Sequence, residues 1–351
     1  MFAGVLFLSC AAVAEEGRVS ASDDRPSHLT VQLDNDLFSG SDRDYTNGVR
    51  IALLSPVKAR ELNPVQNLLV RFHNSLTRIG ASSGMVGEDP GELRLDWGTG
   101  LTQLMYTPSD YDAVVPPPGE RPFAGWLGLE WSLHVHNRDS MSSLTFIVGL
   151  TGPNSLARQA QEFVHEYISK SPVFSGWDSQ VPEEYTLNLQ LDRRLRIRWL
   201  EQMTDNTLLE MDGYAEWGVA LGNLRTEAHA GLLVRLGYNL PLAYLTPRVQ
   251  LGTYASPLRR ERTVAAGNWS WCIFAGTRGT AVAHDITMDG PVFRDYAYTV
   301  ESKPFVAEGI VGIGIRYSRW QLAVARTLRT EEFEGQGRDH EYGSVMLGVA
   351  F

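Results

Sequence analysis

Asp34-Asn35-Asp36-Leu37-Phe38, followed by Asp42-Arg43-Asp44-Tyr45-Thr46-Asn47-Gly48, crowds carboxylates, amides and a hydroxyl into one short stretch. Oxygen donors at this density suit a hard cation, which takes carboxylate, amide and backbone oxygens at about 2.3–2.6 Å. The spacing and terminal Glu of an EF-hand are absent, and a polar hairpin loop has the same composition. A second group is Gln161-Glu162-Phe163-Val164-His165. Gln161 and His165 stand at i and i+4 and so share a helix face. A neutral His beside a bound cation can act as general base on water, with Gln orienting that water or the substrate. A lone helical His is also an ordinary polar residue.

The remaining candidates are weaker. Arg121 opens Arg121-Pro122-Phe123-Ala124-Gly125-Trp126 and could pair with a phosphate, or the loop could be purely structural. His134 and His136 share one face of an alternating run, a spacing compatible with a metal, but no third ligand presents itself. No G-x-S-x-G elbow and no H-E-x-x-H occurs, and no motif marks Ser155 or another serine as a nucleophile.

The elements that must position these residues read as strands. From Tyr185, the positions Tyr185, Leu187, Leu189 and Leu191 alternate with Thr186, Asn188, Gln190 and Asp192, and the run resumes at Leu195. Phe123, Leu127, Leu129, Trp131, Leu133 and Val135 alternate with small or polar residues. Such period-two runs exceed the usual soluble strand of about 5–6 residues and match the roughly 9–11 of a tilted membrane strand. Segments of this kind lie at 28–36, 43–54, 93–107, 122–137, 140–151, 184–200, 205–220, 224–239, 268–283, 303–317, 318–330 and 340–351. They predict an all-β fold, a transmembrane antiparallel β-barrel of about twelve strands spanning 28–351, with short helices in its connections. A soluble β-sandwich is the rival, with shorter strands and more regular turns. The last strand closes on Phe351, which resembles the C-terminal signature of bacterial outer-membrane barrels.

Two connections read as helical. Asn63 caps a helix from Pro64 to about Leu76, and Pro153-Asn154-Ser155 opens another over 156–169 with an apolar stripe of Leu156, Ala160, Phe163, Val164, Tyr167 and Ile168. If both termini are periplasmic, the connections 37–42, 108–121 and 152–183 share the extracellular rim. The connections 55–92 and 240–267 are then long where periplasmic turns are normally short, so the strand count or topology is open by a hairpin.

Composition agrees with an exported barrel. Residues 1–14 read as a signal peptide, an apolar stretch ending Ala12-Val13-Ala14, without a basic start. Beyond it Cys272 stands alone, so no disulfide framework exists. The mean hydropathy of −0.18 fits strands that alternate apolar and polar faces. The net charge of −10 argues against a nucleic-acid partner and suits a surface that meets cations.

Taken together, these motifs resemble the outer-membrane lipid A 3′-O-deacylase family. The resemblance runs through Asn35-Asp36, Asp44-Tyr45-Thr46-Asn47-Gly48, Tyr106-Thr107-Pro108-Ser109, Arg121 to Trp126, Gly152-Pro153-Asn154, Gln161 with His165, and Gly176-Trp177-Asp178 with Gln180, in that order over about 29–190. It implies a twelve-stranded barrel that removes the 3′-linked acyloxyacyl group from lipid A of lipopolysaccharide, using Ca²⁺. On that resemblance His165 is the general base, Asp36 a calcium ligand, and Asn35, Thr46 and Gln161 position substrate, water or metal. It also implies a place in the bacterial outer membrane with the site facing the outer leaflet; the oligomeric state is open, with a monomer expected. The family pattern has a carboxylate a few residues after the helix histidine and a lysine in the 108–121 loop; here Tyr167 to Pro172 has no carboxylate and Asp110 to Val115 no lysine. Asp44, Asp178 or backbone carbonyls could substitute as metal ligands. Another outer-membrane lipid esterase of phospholipase type, and a non-enzymatic channel or adhesin, are the alternatives.

Overall fold

The structure, a computed structural model, describes residues 25–36, 44–57, 61–82, 92–110, 112–169, 174–204, 208–240, 242–243, 247–252, 257–258 and 269–351. The signal-peptide reading at 1–14 and the loop 37–42 lie outside these residues. Twelve antiparallel strands close into one barrel. They are β1 (His28–Asn35), β2 (Asp44–Pro56), β3 (Arg94–Thr107), β4 (Ala124–His136), β5 (Ser140–Thr151) and β6 (Tyr185–Arg196), then β7 (Glu210–Gly222), β8 (Arg225–Tyr238), β9 (Trp269–Asp285), β10 (Phe305–Tyr317), β11 (Trp320–Arg329) and β12 (His340–Ala350). Closure runs through β1 and β12, with His28 opposite Ala350 and Asn35 opposite Gly343. Each strand falls within a segment predicted from alternation, give or take a few residues. The largest misses flank β6 and β7, because Arg198–Met203 turns helical instead of extending β6.

The alternation has the expected physical meaning. On β6, Tyr185, Leu187 and Leu189 are 73%, 57% and 50% exposed, while Thr186, Asn188 and Gln190 between them are buried. The exposed row continues as Trp131 stacked on Phe146, and as Val311, Ile313 and Ile315 on β10. This apolar exterior is what a barrel in hydrocarbon needs, and no helix of the described residues is long and apolar enough to cross a membrane.

The lumen is polar and filled. Arg50 pairs with Glu130 at 2.5 Å, Arg194 with Glu216 at 3.1 Å, and Arg329 with Glu308 at 2.6 Å. In the long connection after β8, residues 247–252 fold back into this interior. Gln32 donates to the Arg248 carbonyl at 2.8 Å, the Val249 amide donates to Asp34 at 3.0 Å, and the Gly252 amide donates to Glu130 at 2.5 Å. Its length therefore reflects a plug, and the strand count stands. A cavity of about 120 Å³ remains between this plug and the end of the barrel opposite the termini.

The other long connection has a different use. It carries α1 (Pro64–Ser82), opened by a reciprocal cap: Asn63 Oδ1 accepts from the Gln66 amide, and Gln66 Oε1 accepts from the Asn63 amide, each at 2.9 Å. The helix outruns its predicted end and lies on the outside of the barrel wall at the end where the termini lie. It buries Leu69 and Val70 against Leu93, Leu95 and Val135, and flanks Leu133, Leu144 and Leu191. His73 on its inner face meets Ser142 through Nδ1 at 3.2 Å and Ser140 through Nε2 at 3.3 Å. Burial, then the Arg193 guanidinium, push this imidazole down to about 3.

His134 and His136 belong to the lumen at the same end. His136 Nε2 lies 2.7 Å from Asp96, which also holds Arg25, and His134 Nδ1 lies 2.7 Å from Ser143. They are parts of a polar network, and among the described residues no group of three His, Cys, Asp or Glu could hold a metal ion.

Candidate active site on the outer wall

At the opposite end, Asn35 and Thr46 stand on β1 and β2, and Gln161 and His165 lie on a connection that packs on the outside of β3 and β4. A transverse row crosses this face: Asn35 pairs with Asn47, Asn47 with Met105, and Met105 with Gly125. A bulge between Tyr45 and Asn47 in β2 sets the local arrangement. Tyr45 points inward, where its hydroxyl donates to Asp34 at 3.2 Å. The extra residue, Thr46, is buried and shares a 2.7 Å hydrogen bond with Thr107. Bulges re-aim side chains in this way next to functional sites. Asp36, the residue after β1, is fully buried.

The helical connection between β5 and β6 lies over this row. A 3-10 turn at Pro153–Ser155 leads through Leu156, in the left-handed conformation at φ 59°, into α2 (Ala157–Val164). His165 begins a single π-helical turn, His165–Ser169. Such turns are rare and frequent at functional sites. The predicted single helix over 156–169 is thus three short pieces. α2 reaches the wall because Gly125 has no side chain: a Cβ there would fall 2.2 Å from Ser155 Oγ and 2.4 Å from Ala157 Cβ. Met105, Phe123, Ala157, Phe174 and Trp177 form the apolar floor.

On this floor the helix is turned against ordinary expectation. Gln161 and His165 are each only 2% exposed, whereas Leu156, Phe163 and Tyr167 of the apolar stripe face outward. Trp177 donates through Nε1 to Gln161 Oε1 at 2.7 Å, fixing that amide with its Nε2 buried. Phe174 sits against the His165 ring at 6.0 Å and against Phe123 at 5.9 Å. Trp177 thus holds Gln161 and Thr107 holds Thr46, and both lie in motifs visible in the sequence without a distinguishable role there.

Two expectations change. Arg121 does not reach toward a phosphate: it is buried, donates to Glu332 at 2.8 Å and to Thr287 at 2.9 Å, and lies over the Tyr106 ring. Burial raises the Glu332 carboxyl, but Arg121 and Arg329 outweigh it and hold the group below its usual range. Asp178 is no substitute metal ligand, because it pairs with Arg158 at 2.8 Å on the exposed side.

The donor set suits a hard cation in kind. Asp36 supplies a buried carboxylate, and Asn47 Oδ1 is a buried acceptor with no hydrogen-bond partner among the described residues. Asn35, Thr46 and Thr107 add amide and hydroxyl oxygens nearby. All are hard oxygen ligands, the type Ca²⁺ prefers.

A closed twelve-stranded barrel with an apolar exterior, a plugged lumen and a polar site clamped against its outer wall defines a membrane β-barrel with a candidate site on its outer face. The chain belongs to the outer membrane protein LpxR family, whose model matches residues 1–351. In structure it is similar to LpxR from Salmonella typhimurium, at 19% identity and a TM-score of 0.67, covering 92% of this chain and 100% of that one. The β domain of the Bordetella autotransporter BrkA follows at 10% identity and a TM-score of 0.43, covering 94% and 100%. No curated protein matches the chain. Family membership supports an outer-membrane lipid A deacylase.

Proposed function

We propose that this protein hydrolyses the 3′-linked acyloxyacyl ester of lipid A, with His165 as general base on water and Asp36 as a Ca²⁺ ligand. The observation that carries this reading is the inverted helix α2. Burying Gln161 and His165 while exposing Leu156, Phe163 and Tyr167 is a stability cost of the kind kept where the buried side does chemistry, and the exposed apolar side chains suit contact with lipid.

In this reading the ester lies between α2 and the row from Asn35 to Gly125. His165 accepts a proton from water as the water oxygen bonds to the ester carbonyl carbon. The bond from that carbon to the 3′-oxygen then breaks, and the proton passes from His165 to the departing oxygen. The products are the free acyloxyacyl acid and a 3′-hydroxyl. Gln161, held by Trp177, orients the water, while Asn35 and Thr46 position the substrate. Asp36, with Asn47 beside it, would hold the cation, and the chemistry supplied by bound Ca²⁺ is polarisation of the ester carbonyl. No serine nucleophile is required.

Mass spectrometry of lipid A from cells expressing the wild type or His165→Ala tests this. Loss of the 3′-acyloxyacyl mass in the wild type, absent in His165→Ala and abolished by EDTA until Ca²⁺ is restored, is expected. Intact lipid A with fatty acid released from phospholipid would replace the reading with a phospholipase. Unchanged lipids with the wild-type barrel inserted would overturn it.

A further inference from the structure

Helix α1 poses a question that the active site does not answer. On β6 the outward positions Tyr185, Leu187, Leu189 and Leu191 are followed by Arg193, so an arginine stands on the lipid side of the wall. It is 1% exposed because α1 covers it. Arg193 NH1 donates to Ser142 Oγ at 2.7 Å and lies 2.8 Å from His73 Nδ1, while NH2 donates to Thr77 Oγ1 at 2.8 Å. The helix is thereby fixed by polar contacts at the margin of the apolar band. Adjoining its buried side, next to Leu69, it carries Val65, Leu68, Phe72 and Leu76, spaced to share one face. Val65 is 53% and Leu68 67% exposed, and Phe72 and Leu76 are half-buried.

Phe72 packs in part on the cluster beneath α1, whereas Val65 and Leu68 lie open beyond it, and the position of this face is defined. The apolar residues flanking α1 on the wall, Leu133, Leu144 and Leu191, are the next step of the same outward rows as Trp131, Phe146 and Leu189. The exposed face of α1 thus continues the surface already committed to hydrocarbon. Arg71 and Asn67 are exposed on the same helix and give it a polar edge. An amphipathic helix of this kind lies in the plane of a bilayer interface.

We propose that α1 is an interfacial helix seated in the leaflet on the side of the chain termini, with lipid acyl chains covering Val65, Leu68, Phe72 and Leu76. The same contact keeps Arg193 off the hydrocarbon, where a bare arginine destabilises a barrel most at mid-bilayer and less toward the interface. Barrel and helix then form one membrane surface, and the long connection between β2 and β3 is explained by it.

The test uses the full chain in liposomes, with Cys10 and Cys272 replaced by serine and one environment-sensitive label at a time on Leu68→Cys, Arg71→Cys or Phe146→Cys. Heat-modifiable migration on gels confirms that each barrel is folded. The expected result is blue-shifted emission at 68, quenched by brominated acyl chains as at 146, with position 71 quenched by aqueous iodide. A label at 68 that behaves like the one at 71 overturns the proposal. So does self-quenching between labelled copies without quenching by brominated lipid, which would make a second copy the occupant.

Discussion

Helices α1 and α2 are both clamped to the outside of the barrel, at opposite ends, and each buries a histidine against the wall. The surroundings of the two imidazoles differ. His73 has serine hydroxyls at both ring nitrogens and Arg193 alongside, and burial holds it neutral. It serves as a rivet. His165 sits on a π-helical turn over an aromatic floor, one helical turn from a buried glutamine, at the end of the barrel where the bulged strand carries its oxygen donors. Burial of a histidine therefore says little about its role; the groups that share its pocket say more.

Four substitutions or conditions break or sharpen this contrast. His165→Ala should lower lipid A deacylation by about 10²–10⁴-fold, the usual range for a general base, whereas His73→Ala should leave the rate unchanged in a folded barrel. Equal losses from both, read by mass spectrometry of lipid A, would erase the distinction. Gly125→Val should come next, because its side chain would displace Ser155 and Ala157 and lift α2 from the wall. A misplacement of that kind costs on the order of 10²-fold in rate, with heat-modifiable migration retained.

Trp177→Phe removes the donor to Gln161 and leaves a buried carbonyl oxygen unsatisfied, a cost of about 1–3 kcal/mol. A rate loss of roughly tenfold is expected, with barrel migration unchanged; a wild-type rate would remove Trp177 from the site. The smallest effect concerns pH. The folded pKa of His73 lies below its unfolded value, so its contribution to docking α1 is present above about 6.5 and fades as pH falls toward 3. Arg193 beside it on β6, and His136 across the wall in the lumen, add to the repulsion once it is charged. A label at Leu68→Cys should move to water over that range, and His73→Gln should flatten the response.

Much of the fold is legible in the residue order. Alternation from Tyr185 to Leu191 exposes one face and buries the other as read, and Phe351 follows a strand that closes the barrel against β1. Where alternation misled, a second layer is the cause. Phe123 and Val135 belong to an outward row yet are fully buried, because α2 covers the first and α1 the second. The lengths of the connections at 55–92 and 240–267 suggested a missing hairpin; one is an external helix and the other a lumen plug, and neither has a period that alternation detects.

The site divides along the same line. His165, Gln161, Asp36, Asn35 and Thr46 could be chosen from residue type, spacing and motif order, since those depend only on the chain. That Gln161 faces Trp177, that Thr46 meets Thr107 through a bulge, and that Arg121 turns inward to Glu332 could not. The sequence determined a barrel and a set of candidate residues, because side-chain periodicity is a local property of an extended backbone. Only the tertiary structure decided which face of α2 is buried, because that depends on a glycine far along the chain leaving room for the helix to approach.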